Sequence, residues 1–378
     1  MSNNEWAMGL SHGVLPRQDI QEMVAKGILT PDTPLEDGQI QPASIDVRVG
    51  QRVHRLRTSF LPRQGERVQD TLEKYSLYSF NVDDAEGAIL EVGCTYLVEV
   101  QEKLDLPQAI CGTASPKSTT GRLDIFCRIF TENAARFDAI EAGYSGPVYL
   151  EITPMSFPIV LRTGDRLLQL RFRVGQSAEV DLVNTELNWD SGLLFDSEHQ
   201  PIEATIMDGL WLSLGLKPTA DGAPIAYRAK RNTPVVDLRK IGEYSTHDYW
   251  DIVEPEDESL VLYPGEFYIL GSAEKLCVPP TLSAEMVPFD ITFGEVRVHY
   301  AGFFDPGFGV VNGKGVGTRA VLEVRNHGAP FRVTHGQKIA RMKYEALSKT
   351  PDILYGAEIQ SNYAGQEVKL AKQFGMAA

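Results

Sequence analysis

The chain of 378 residues repeats itself. GCTYLVEVQEKLDLP at 93–107 reads like GEFYILGSAEKLCVP at 265–279. YLEITPMSFPIVLRTGDRLLQLRFR at 149–173 reads like VLEVRNHGAPFRVTHGQKIARMKYE at 321–345. Gly93 and Gly265, Pro107 and Pro279, Glu151 and Glu323, Pro158 and Pro330, and Gly164 and Gly336 are each 172 residues apart. One register held across two blocks is the mark of a tandem duplication. A duplicated chain is expected to fold as two copies of one architecture. The expected domains are 1–200 and 201–378, meeting near 195–215, where DSEHQPIEATIMDG supplies polar and turn residues. A hydrophobic content of 43% is enough for two cores of ordinary size.

Within each copy the apolar residues alternate on a period of two. Tyr96–Val100, Val148–Ile152, Ile159–Leu161, Leu167–Val174, Val321–Arg325 and Ile339–Tyr344 all do so, with Gly, Pro and Asp between the runs. That spacing is a mainly antiparallel β pattern. A helix is expected near 17–26, where Ile20, Met23 and Val24 share a face, Pro16 stands at the start and Gly27 at the stop.

Charge and cysteine use narrow the function classes. A formal charge of −15 repels polyanions, so a nucleic-acid backbone is not an expected partner, although a local Arg/Lys pocket can still take one phosphorylated ligand. The N-terminus lacks a basic-then-apolar signal layout, and no apolar run reaches the ~18 residues of a membrane span. The expectation is a cytoplasmic protein with no membrane partner. Cys94, Cys111, Cys127 and Cys277 have no CxxC spacing and read as free thiols. A zinc deaminase needs H-x-E and P-C-x-x-C segments, and neither occurs, so no zinc is expected. Trp6, Trp189, Trp211 and Trp250 read as core or interface aromatics, and EPEDES at 254–259 as a solvated loop.

Four ordered motifs carry a family resemblance. IQPASIDVRVG (40–50), SPKSTTGRLDIF (115–126), FFDPGFG (303–309) with VLEVRN (321–326), and SNYAGQ (361–366) resemble successive motifs of bacterial dCTP deaminases. Those enzymes belong to the dUTPase-like superfamily. The resemblance covers nearly the whole chain, as two family units in tandem, like the double-length form of that enzyme. It implies two dUTPase-like β-barrel, or β-clip, domains with a few short helices. It also implies a hydrolase acting on the C–N bond of a cyclic amidine, converting dCTP to dUTP and ammonia.

The resemblance assigns roles residue by residue. Ser118 and Arg122 match the family's Ser and second Arg, near the pyrimidine and the attacking water. Lys117 stands where the first Arg of that motif is, keeping the charge without the bidentate fork. The same register in repeat 2 gives Phe289, Asp290 and Gly294, which can serve neither role. Asp305, Pro306, Gly307 and Phe308 form the family's sugar turn, with Asp305 on the 3′-hydroxyl and an aromatic beneath the deoxyribose. Repeat 1 has Glu141 in place of that Asp. Ala301, Val321 and Leu322 fall on substrate-binding positions, as do Tyr355, Asn362 and Gln366 at the tail. Both repeats keep the catalytic-strand glutamate, Glu151 and Glu323. His299 reads as a structural histidine close to the pocket.

Hydrolytic deamination adds water at C4 of cytosine, protonates N3 and expels ammonia. One carboxylate can relay those protons while a Ser and an Arg position the water. Mg²⁺ is expected only as the counterion of the triphosphate. The family places its pockets between copies of the fold, so a homo-oligomer is expected, with dTTP as a feedback ligand. Two arrangements stay open. Ser118, Arg122 and Lys117 face Glu323, Asp305, Tyr355 and Gln366 in a composite site, or they face Glu151. The rival activities are a dUTPase, a bifunctional enzyme releasing dUMP, and a nucleotide-binding regulator without catalysis. The glycine-rich GFGVVNGKGVGTR (307–319) reads as a hairpin insertion rather than a phosphate-closing tail.

Overall fold

In the computed structural model the described residues are 2–175, 178–185, 187, 189–218, 222–287, 296–298, 302–356 and 367–375. They form two compact units. The first comprises Met1–Ala178, Asn232–Ile241 and Leu347–Asp352; the second comprises Glu179–Arg231, Gly242–Ala346 and Ile353–Ala378. The stretch near 195–215 carries strands Leu194–Phe195, Pro201–Ile202 and Leu210–Gly215 of the second unit.

Both units are mainly β. In the first, the main sheet runs Ala139–Ile140, Ile110–Pro116, Arg166–Val174, Ile45–Leu56, Tyr96–Val100, Val148–Pro154, Ile125–Thr131. The long Ile45–Leu56 strand turns at Gly50, where a Cβ would lie 2.3 Å from the Glu99 carbonyl oxygen. Only glycine allows that approach, and the register against Tyr96–Val100 shifts there. The expected helix spans Arg17–Ala25 with Ile20 and Met23 fully buried. It stops at Gly27, φ +71°, with the Ile28 N–H reaching back to the Met23 carbonyl.

Asn232–Ile241 adds a short parallel strand, Val236–Asp237, to Ile159–Leu161 of the first unit. Arg162 grips Asp237 with both guanidinium nitrogens, at 2.7 and 2.8 Å. Arg239 donates to Asp165 (2.9 Å), Asp84 (2.6 Å) and the Thr163 carbonyl (2.9 Å). Arg162 therefore holds the Asp237 carboxyl below its usual range. Burial pushes Asp165 up despite its bond to Arg239.

The duplication is visible hydrogen bond by hydrogen bond. The Tyr96 hydroxyl accepts from Glu91 N, and the Tyr268 hydroxyl from Tyr263 N, both at 3.1 Å. Gly93 N donates to the Pro154 carbonyl and Gly265 N to that of Asn326, both at 2.8 Å. Leu150 pairs with Val98 as Leu322 pairs with Leu270. Glu102 and Glu274 each accept a strand N–H, from Arg48 and Ser213, at 2.8 Å. The two sites then diverge. Glu102 forms a fully buried ion pair with Arg48 at 2.7 Å, whereas Glu274 takes the Ser213 hydroxyl. The core of the second unit gathers Leu212, Leu214, Tyr268, Leu270, Leu322 and Met342, among others. Trp6, Trp211 and Trp250 are buried. Val310–Val311 and Lys314–Gly315 form the expected hairpin, turning at Asn312 and Gly313, both with positive φ.

Candidate active site

In the first unit the Ile110–Pro116 strand leads directly into the short Ser118–Arg122 helix. The Lys117 N–H (3.0 Å) and the Thr120 hydroxyl (2.7 Å) both donate to the Leu167 carbonyl, fixing the helix on the neighbouring strand. Ser118 is exposed and Arg122 is buried. The Lys117 ammonium is held by the buried Asp46 carboxylate. The helix exits through Asp124, whose φ is +54°. Asp124 ties to the end of the Val148–Pro154 strand, accepting from Met155 N (2.9 Å) and from the Ser156 hydroxyl (2.5 Å). Glu151 lies on that strand.

Glu151 faces Arg128 in register across the strand pair. Its Oε1 accepts from Arg128 Nε at 2.8 Å, while Oε2 is buried without a hydrogen-bond partner. Arg128 is itself fixed. Its guanidinium lies 3.6 Å from the Phe137 ring centroid, and it donates to the Ser59 hydroxyl at 2.7 Å. At the turn of repeat 1, the Tyr144 hydroxyl donates to the Pro147 carbonyl, and burial raises its pKa to about 12.

The second unit assembles the turn expected to hold the sugar. Phe303–Phe304 pairs with Leu282–Val287 and delivers Asp305. The turn closes as Phe308 N donates to the Asp305 carbonyl (3.1 Å) and Gly307 N to that of Val278 (3.0 Å). Tyr355 N donates to the Pro306 carbonyl (2.9 Å), and the Tyr355 ring lies 5.5 Å from that of Phe308. Asp305, Gly307, Phe308 and Tyr355 are thus brought together. Phe308 is buried, with its edge against Phe304.

The Thr318–Asn326 strand alternates. Arg319, Val321, Glu323 and Arg325 are 6–7% exposed, whereas Ala320, Leu322, Val324 and Asn326 are 0–1%. Glu323 and Val321 therefore share the more open face, and the Leu322 side chain faces the core. Ala301, Asn362, Gln366 and His299 lie outside the described residues, as do Phe289, Asp290 and Gly294. Sequence reasoning missed Asp46, Arg128 and the Lys275–Arg319 pair. The signal for each is strand register, which a single sequence does not display. Among the described residues no three His, Cys, Asp or Glu side chains are grouped to hold a metal ion, and no helix is long and apolar enough to cross a membrane.

Comparison with known proteins gives concordant matches. The family model described as 2′-deoxycytidine 5′-triphosphate deaminase, N-terminal domain, matches residues 11–176, and its C-terminal counterpart matches 183–374. The crystal structure of 2′-deoxycytidine 5′-triphosphate deaminase from Agrobacterium tumefaciens matches with a TM-score of 0.81 and 44% identity, covering 89% of this chain and 99% of that one. A dCTP deaminase of Halorubrum lacusprofundi is 30% identical over 162 residues, 42% of this chain and 76% of the relative. A dUMP-forming dCTP deaminase of Corynebacterium glutamicum is 32% identical over 169 residues, 44% of this chain and 84% of the relative.

Proposed function

Because this chain belongs to the 2′-deoxycytidine 5′-triphosphate deaminase family of enzymes, we propose that it hydrolyses dCTP to dUTP and ammonia, with Glu323 as the proton relay. The observation that carries the choice of glutamate is the contrast between the two equivalent strands. Glu151 has one carboxylate oxygen committed to Arg128 and the other sealed in the fold. Glu323 is 6% exposed against 1% for Glu151 and lies on the less buried face of its strand, in the unit that also assembles Asp305 and Tyr355.

The reaction follows from these groups. Glu323 takes a proton from water as the water oxygen bonds to C4 of cytosine, and delivers that proton to N3. The second proton of the former water passes through the same carboxylate to the 4-amino nitrogen. The C4–N bond then breaks, ammonia leaves and the C4 carbonyl forms. Ser118 and Arg122 orient the water and offset the charge that develops. Asp305 accepts from the 3′-hydroxyl, with Ala301, Val321, the main chain of Leu322, Tyr355, Asn362 and Gln366 as further nucleotide contacts. Lys117 supplies a positive charge to the phosphates. Mg²⁺ arrives with the triphosphate as part of the substrate. A homo-oligomer and dTTP as a feedback ligand complete the reading.

A second reading is a dUMP-forming enzyme, favoured by the names of relatives such as those of Halobacterium salinarum and Corynebacterium glutamicum. Incubation with Mg·dCTP, quantifying dUTP, dUMP and ammonia, separates the two. Ammonia with dUTP supports the first, and ammonia with dUMP and pyrophosphate supports the second. No ammonia refutes both.

A further inference from the structure

Lys275 and Arg319 stand directly opposite each other on the paired strands Phe267–Leu276 and Thr318–Asn326. They are only 8% and 7% exposed. Like charges set opposite each other on neighbouring strands repel, and burying them calls for an anion. Glu367 approaches both, with Oε1 3.8 Å from Lys275 Nζ and Oε2 3.3 Å from Arg319 Nε. Direct charge-assisted bonds run about 2.7–2.9 Å. The Arg319 Nε and Glu367 Oε2 atoms are buried and have no hydrogen-bond partner. Lys275 Nζ donates to the Ser197 carbonyl at 3.2 Å and lies 3.0 Å from His199 Nε2. His199 Nδ1 lies 2.6 Å from the Val316 carbonyl, an acceptor, so the imidazole proton sits on Nδ1 and the Nε2 lone pair faces Lys275. Two fixed cations thus confront one carboxylate that neither holds closely, and Glu367 is the most exposed of the three.

The position of this pair on the strand indicates its use. Arg319 shares the less buried face of its strand with Val321 and Glu323. Arg319 lies four positions before Glu323, roughly 13–14 Å of extended chain. That is comparable to the reach of a nucleoside triphosphate from base to outer phosphates. Repeat 1 has no counterpart, because the equivalent positions are Lys103, bound to Asp32 at 3.1 Å, and Pro147. The cation pair therefore occurs in the repeat whose sequence lacks the Lys117, Ser118 and Arg122 motif.

We propose that Lys275 and Arg319 form a phosphoryl-binding subsite, which Glu367 occupies in the absence of ligand and vacates when phosphate enters. The proposal rests on the reading of the substrate as a nucleoside triphosphate. Two positive charges match a dianionic phosphate better than a single carboxylate. The phosphoryl group comes from the substrate itself or from free pyrophosphate, and the test distinguishes these sources.

Pyrophosphate binding by calorimetry, the dCTP KM and the dCMP inhibition constant are measured for the wild type, Lys275→Met, Arg319→Met and Glu367→Gln. The methionine variants are expected to weaken pyrophosphate binding about tenfold or more. If the substrate is the source, dCTP KM rises by a similar factor at constant kcat, and the dCMP constant stays within about twofold. If free pyrophosphate is the source, dCTP KM does not move. Glu367→Gln keeps both cations and tests the proposal should the methionine variants fail to fold; it is expected to tighten pyrophosphate binding. Unchanged pyrophosphate affinity in every folded variant overturns the subsite. Absence of ammonia release from the wild type instead overturns the deaminase reading, and leaves the calorimetric result to judge the subsite alone.

Discussion

Gly307→Ala tests whether the Asp305–Phe308 turn is held in shape by its contact with the Tyr355 segment. Gly307 has φ +93°, beyond the small left-handed basin open to other residues. A Cβ there would lie 2.9 Å from the Leu354 Cβ and 3.2 Å from Tyr355 N, atoms of the main chain or attached directly to it. Backbone strain of ~1–2 kcal/mol adds to overpacking of ~1–3 kcal/mol, about 2–5 kcal/mol together. The equivalent glycine of repeat 1 supplies the control. Gly143 has φ +75°, but the atoms nearest its Cβ would be those of the exposed Gln108 amide, which can swing aside. Gly143→Ala should therefore cost only the backbone strain, ~1–2 kcal/mol. At about 2–4 °C per kcal/mol, melting curves should place Gly307→Ala roughly 2–12 °C below Gly143→Ala. The dCTP KM should rise about tenfold or more in Gly307→Ala alone. Equal melting shifts and equal KM values in the two variants would refute the reasoning.

The repeats also differ at their equivalent glutamates, Glu102 fully buried and Glu274 half-buried. Glu102→Gln strands the Arg48 charge in the interior and should cost about 3–5 kcal/mol in urea unfolding. Glu274→Gln weakens the Ser213 hydrogen bonds and a long, partly exposed ion pair with Lys338, and should cost about 1–3 kcal/mol. Burial pushes the Cys277 thiol to about 12 and raises Cys127 strongly as well. A thiol reagent at pH 8 should label the half-buried Cys94 and Cys111 first, and Cys127 and Cys277 only on unfolding. Asp237 titrates below its unfolded value, so its pair with Arg162 contributes stability above about pH 4 that is lost as pH falls through the folded pKa. Asp237→Asn should flatten that acid limb of a stability–pH curve and leave its slope above about pH 5 unchanged.

The sequence shows what is periodic and local. The alternating runs became strands, the Pro16-to-Gly27 pattern became a helix, and the 172-residue register reappears in the Tyr96 and Tyr268 hydroxyl bonds. The glycine-rich 307–319 segment formed its hairpin because Asn312 and Gly313 accept positive φ. What depends on pairing between distant segments was not legible. Asp46 captures Lys117 from 71 positions away. Arg128 meets Glu151 only because two strands pair in one register, and a slip of one residue would have turned it to the other face. The Asn232–Ile241 segment looked like part of its neighbours in sequence. Its placement in the first unit depends on Arg162 and Arg239 contacts that no local pattern encodes.

The most direct test of the account is ammonia release from dCTP by Glu323→Gln and Glu151→Gln, measured side by side on folded protein. Losing the proton relay should lower kcat by about 10²–10⁴-fold in Glu323→Gln. Glu151→Gln, which exchanges one buried oxygen beside Arg128, should keep most of its kcat once its folding is verified. Full activity in Glu323→Gln would contradict the account and transfer the chemistry to the first repeat.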